Sequence, residues 1–131
     1  MENKLVVHTK DGKILKGVTQ DFLPSRDSFH LLPAEGGGVP MRIVLKGMKA
    51  LFYVKDYIGN RDYQTRRAFE LTRREGRRAI VAFEDGETLW GVIPSYDPNA
   101  IGFDFYPADP DDNNVRIFVI NASVRSVEFR S

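Results

Sequence analysis

Short runs rich in Val, Ile, Leu, Phe and Tyr recur along the chain, each stopped within a few residues by glycine, proline, Asp or Asn. That pattern predicts short strands joined by tight turns rather than helices. Lys4 to Thr9 reads as a first strand, and Lys10-Asp11-Gly12-Lys13 supplies the Asp-Gly pair that a tight hairpin turn with positive φ prefers. A longer strand, Ile14 to Phe22, is interrupted by Gly17, where a bend, a bulge or a close backbone approach is expected. After the turn residues Leu23 to Asp27, a third strand runs from Phe29 to Leu32 and stops at Pro33, which has no N–H for the ladder. A fourth covers Met41 to Leu45, and a fifth lies around Ala50 to Val54.

The same pattern is then written again. Residues 5 to 45 realign without a gap on residues 79 to 119, and 12 of those 41 positions are identical. The matches include Asp11/Asp85, Gly12/Gly86, Gly17/Gly91, Pro33/Pro107, Arg42/Arg116 and Ile43/Ile117. Asp85-Gly86 is thus the second hairpin turn and Gly91 the second mid-strand bend. The final strands align best at an offset of 76 rather than 74, which puts a two-residue insertion at the corner between strands four and five. Five short, bent strands in each of two copies predict two tandem five-stranded small barrels, an all-β fold built by internal duplication. The expected boundaries are 1–56 for the first barrel, 57–76 for a connector and 77–131 for the second barrel. Fused barrels either satisfy one another's edge strands or leave two outer edges free for oligomer formation.

The connector supports two readings. Asp62 is placed to cap a helix from Tyr63 toward Glu75 with Gly76 just past its end, and this reading is preferred. Alternatively, Phe69-Glu70-Leu71 and a Glu75-Gly76 turn make an extra strand pairing with Arg77 to Phe83. Charge singles this segment out: residues 61 to 78 hold seven arginines against Asp62, Glu70 and Glu75, a local +4 in a chain whose net charge is +1. Arg66, Arg67, Arg73, Arg74, Arg77 and Arg78 therefore form a candidate binding surface for phosphate or an acidic partner, with a solvated connector as the plainer reading.

The chain has no cysteine, so disulfides, thiolate metal sites and cysteine nucleophiles are excluded. No apolar leader opens the sequence and no apolar run approaches membrane-spanning length, so a cytoplasmic protein without a membrane partner is the expectation.

Two resemblances sharpen the fold. DGKILKG followed by Phe22, and DGETLWG followed by Tyr96-Asp97, resemble the first motif of Sm-like proteins, and Leu45-Lys46-Gly47 resembles the second. The resemblance implies bent five-stranded barrels of Sm or SH3-like shape. The asparagine with which Sm proteins hold RNA has no counterpart in Leu23 to Asp27, and Asn99 stands at another spacing, so RNA binding is not implied. More extensively, KALFYVKDYIGN, AFEDGETLWG and GFDFYPADPDDNNVRIFVINASVRSVEF resemble an uncharacterised bacterial family of tandem barrels, found alone or beside PilZ-type signalling domains. That likeness implies a bacterial cytosolic protein and no particular chemistry.

Catalytic candidates are few. His8 and His30 are the only imidazoles, and neither has an acidic or serine partner at a recognisable spacing. Gly36-Gly37-Gly38 lacks the lysine of a phosphate loop, Asp109, Asp111 and Asp112 lack the glycine and glutamate of a calcium loop, and Arg74 and Arg78 match the PilZ arginine spacing without its companion motif. No cofactor or metal is expected. Trp90 stands where the first copy has Lys16, which marks a face used for the contact between barrels or for a partner groove; if exposed, it is the best single candidate for a binding hot spot. The functional expectation is a non-enzymatic interaction module that binds a protein or peptide in bacterial signalling. The alternative is a nucleic-acid or cyclic dinucleotide binder using the arginine connector.

Overall fold

A computed structural model describes residues 4–35, 38–59 and 62–130, so the glycine tip at Gly36 and Gly37, and Arg61, lie outside the described residues. The described residues form ten strands: β1 (Lys4–Thr9), β2 (Ile14–Val18), β3 (Ser28–Pro33), β4 (Met41–Val44), β5 (Met48–Val54), β6 (Arg77–Phe83), β7 (Thr88–Ile93), β8 (Gly102–Pro107), β9 (Asn114–Ile120) and β10 (Val124–Arg130). They make one open sheet in the order β10-β6-β7-β8-β9-β5-β1-β2-β3-β4, and β5 joins the two halves by pairing with β1 on one side and β9 on the other. Every neighbouring pair is antiparallel.

Local chemistry sets the bends. Gly12 and Gly86 have φ of +91° and +95°, and their N–H groups donate to Thr9 and Phe83 carbonyls, closing the β1–β2 and β6–β7 turns in a backbone region costly for other residues. At Gly17 and Gly91 the reason is space instead: a Cβ would lie 2.1 Å from the carbonyl oxygen of Leu32 or Tyr106 on the adjoining strand.

Registers in the two halves match at an offset of 74 across the first two strands, Leu5↔Gly17 beside Ala79↔Gly91, and again between the second and third, Gly17↔Pro33 beside Gly91↔Pro107. At the fourth strand the offset is already 76, because Phe29 faces Ile43 whereas Phe103 faces Val119. The two extra residues therefore sit between β8 and β9, not at the later corner, where both halves make the same three-residue 3₁₀ turn, Leu45–Gly47 and Asn121–Ser123. Arg42/Arg116 and Ile43/Ile117 agree as letters but not as positions. The extra length is taken up by the loop at 108–113, which anchors the connector.

That connector is not helical. Between β5 and β6 the described residues form one 3₁₀ turn, Phe69–Leu71, with neither an α-helix from Tyr63 nor an extra strand against β6. The backbone N–H of Arg66, needed for a helical ladder, donates to the Asp109 carboxylate at 2.8 Å, and Ala68 is extended at φ −138°, ψ 111°.

Two apolar clusters fill the molecule, and they interlock. Along β9 the side chains alternate, Ile117 and Val119 entering one cluster with Val81, Phe83 and Phe105, Phe118 and Ile120 entering the other with Leu5, Phe29 and Leu45. β5 does the same, sending Ala50 and Phe52 one way and Leu51 the other. A strand buried on both faces reads as a continuous apolar run, which is why β9 carries Ile-Phe-Val-Ile where β4, at a sheet end, carries Met-Arg-Ile-Val.

Candidate functional site

Residues 62–68 cross the second half as an extended strap. Its anchor is Asp109, whose side chain is fully buried although it sits in a surface loop. Its carboxylate receives the Arg66 guanidinium at 2.8 Å, the Arg66 backbone N–H at 2.8 Å, the Asp111 N–H at 2.9 Å and the Tyr63 hydroxyl. Burial alone would raise its pKa, but the Arg66 side chain and backbone, with Tyr63 and Asp111, hold it well below the usual carboxylate range. Asp111 accepts a second Arg66 bond at 2.6 Å, and Asp112 takes the Thr65 hydroxyl at 3.0 Å. The Asp109–Asp112 run is thus a clamp for the connector rather than a solvated acidic turn. Among the described residues no group of three or more His, Asp or Glu is arranged to hold a metal ion.

The strap roofs a cleft of about 590 Å³, walled by Arg67, Thr65, Glu87, Leu89, Trp90 and Asn114 with Phe105 behind them. Trp90 is half-buried and stacks on Phe69 at 5.0 Å between ring centres. The connector arginines are spent largely on the chain's own aromatic faces: Arg74 lies 4.1 Å over Tyr106, Arg77 3.6 Å over Phe129 and Arg78 6.0 Å over Phe69. Planar guanidinium groups stack this way readily. With Arg66 held by Asp109, four of the six candidate arginines have partners within the chain although all six remain exposed, and Arg67 stands on the cleft wall.

His30 has an acidic partner at a spacing that belongs to no catalytic motif. Asp21, nine residues upstream, accepts the His30 backbone N–H at 2.8 Å and meets its ring Nδ1 at 2.7 Å, an exposed pair beside a small hollow lined by Val18, Leu32 and Pro40. His8 instead packs 4.5 Å from the Phe52 ring, and burial, followed by the nearby Lys49 ammonium, lowers its pKa. Lys49 bridges the halves, reaching Asp85 at 2.7 Å and also Glu87 in the β6–β7 turn.

The two ends of the sheet differ in chemistry. β10 shows Arg125, Ser126, Glu128 and Arg130 to solvent, whereas β4 exposes Met41 and Val44 on either side of a single charge, Arg42, with Leu32 of β3 and Val39 close in sequence also exposed. Edge strands left to solvent are commonly blunted with charge, and apolar side chains on one mark a contact surface. The sequence pattern places β4 as a strand but not at the end of the sheet, because nothing in Met-Arg-Ile-Val says which strand lacks a neighbour.

These features define an all-β protein with one exposed apolar strand edge and a strap-covered cleft, and among its described residues no helix is long and apolar enough to cross a membrane. Over residues 1–131 the sequence matches a family described as a family of unknown function (DUF6982), and the chain belongs to it. No curated protein and no solved structure matches it.

Proposed function

We propose that the chain is a non-enzymatic interaction module: two Sm- or SH3-like barrels from an internal duplication, fused edge to edge, that accept an extended segment of a partner protein along β4. The repeated registers and the paired Asp-Gly turns support the duplication. The observation that carries the function is the free edge of β4, the last strand in the sheet, with Met41 41% and Val44 44% exposed. A sheet edge offers unpaired N–H and C=O groups for main-chain bonding, and neighbouring apolar side chains select the incoming strand. A role in bacterial signalling accords with the resemblance to tandem barrels found beside signalling domains.

The test is to select binders from a displayed library of unstructured peptides and map them by hydrogen exchange. Protection of the Met41–Val44 amides, with binding weakened about tenfold by Met41→Lys, is the expected result, a loss of about 1.4 kcal/mol. Binders that protect the Trp90 cleft and leave β4 exchanging freely would refute it. Turnover in a hydrolase screen that disappears in His30→Ala would overturn the non-catalytic reading, since an Asp-held imidazole is the arrangement of a general base.

A second reading takes a nucleotide or nucleic acid as ligand, and the cleft favours it, since Arg67 and Trp90 share its wall. Titration with RNA, DNA and cyclic dinucleotides at two salt concentrations tests this reading; salt-sensitive binding lost in Arg67→Ala is its expected result.

A further inference from the structure

We propose that β10 of one copy of this chain adds to β4 of a second copy, in the register that β5 and β9 already use inside the chain. This names the occupant of the β4 edge and so rests on the strand-accepting reading above.

The chain itself contains the template. β5 and β9 meet through Ala50↔Val119, Leu51↔Phe118, Phe52↔Ile117 and Tyr53↔Arg116. β10 is placed on β6 as β5 is placed on β1: Lys4↔Val54 corresponds to Arg78↔Arg130 and Val7↔Leu51 to Val81↔Val127, and both ladders slip beside the same residue pair, Thr9↔Met48 and Phe83↔Val124. β4 is placed on β3 as β9 is on β8, by Phe29↔Ile43 and Phe103↔Val119, and each leads into a 3₁₀ turn. The two strands that end the sheet are therefore counterparts of the two that meet at its centre. One is missing the partner that the other supplies, and within a single chain they lie at opposite ends of the sheet.

Transferring the central register to the ends pairs Ser126 with Ile43, Val127 with Arg42 and Glu128 with Met41. Met41, Ile43, Val44, Val127 and Phe129 keep this contact apolar in part. Arg42 stands where the centre has Phe118, and Glu128 where it has Phe52, so the copied seam is more polar and the contact reversible. Because the joined surfaces are different, addition runs head to tail, closing into a ring or extending as a filament.

The absence of cysteine makes the test clean. Met41→Cys/Glu128→Cys places a thiol on each edge at positions exposed in the single chain, and directly opposed residues in an antiparallel pair lie within disulfide reach. Under mild oxidation this variant is expected to cross-link between chains at least tenfold faster than Met41→Cys/Ser126→Cys, whose thiols are set two residues apart. Unmodified protein should show, by sedimentation, masses that rise with concentration in multiples of 14.9 kDa. A single species of 14.9 kDa up to the solubility limit overturns the proposal, as do equal cross-linking rates for the two variants. A monomer that still captures peptides on β4 would sink this inference alone and leave the strand-accepting module standing.

Discussion

Gly91 and Gly86 are both glycines by necessity, for different reasons that measurement can separate. A methyl group at Gly91 would meet the Tyr106 carbonyl oxygen at 2.1 Å and the Phe105 ring at 2.6 Å, whereas at Gly86 nothing lies within 4 Å. Gly91→Ala should therefore cost about 3 kcal/mol of stability in urea, as overpacking does. Gly86→Ala, which meets only left-handed backbone strain, should cost about 1 kcal/mol. Asp109 makes a prediction in pH. Its folded pKa lies below the unfolded value, so the unfolded chain binds more protons as the medium acidifies, and the stability it contributes is present above about pH 4 and lost below it. The urea midpoint should fall between pH 5 and pH 3, and Asp109→Asn should be less stable at neutral pH and flatter across that interval. The Asp-Gly turns are legible in the sequence because two adjacent residues carry the whole conformational demand. The Arg66–Asp109 and Asp21–His30 pairs are not, because nothing local joins residues that only the fold brings together.

Strands were legible for a similar reason. Clustered β-branched and aromatic residues between turn formers place all ten to within a few residues, although β2 ends at Val18 rather than continuing to Phe22. The connector misled because Asp62 and Gly76 look like helix ends, while what decides its conformation is a set of side chains reaching to a loop more than forty residues away. Arg66→Ala should accordingly release the strap, seen as faster proteolytic cleavage and hydrogen exchange across residues 62–68, with strand amides unaffected. β9 behaves differently from the strap, since its side chains fill both cores. Phe118 is 2% exposed and meets the Phe22 ring at 5.1 Å, so Phe118→Ala should lose about 4 kcal/mol, close to what an ordinary core phenylalanine is worth.

For the molecule as a whole, the shared strands β5 and β9 tie the halves into one cooperative unit. Two barrels of about this size joined by a loose linker would melt separately. Here Trp90 emission, which reports the second half, and far-ultraviolet dichroism, which reports all ten strands, should trace one coincident transition in urea. Two resolved steps would show that the halves unfold independently. The all-β class was readable from the strand pattern, but the joining of β5 to β9 was not, since a strand's partner across the molecule is set by surfaces rather than by neighbours in the chain.

The alternation along β9 also bears on descent. A change at Phe118 or Ile120 alters the room available to Leu5, Phe29 and Leu45, while a change at Ile117 or Val119, one position away, alters the room available to Val81 and Phe105. Adjacent codons therefore answer to opposite halves of the gene. In lineages carrying this protein, compensating substitutions should cross from one half to the other, and neither half can be exchanged for a homologous copy without the strand that mates with it.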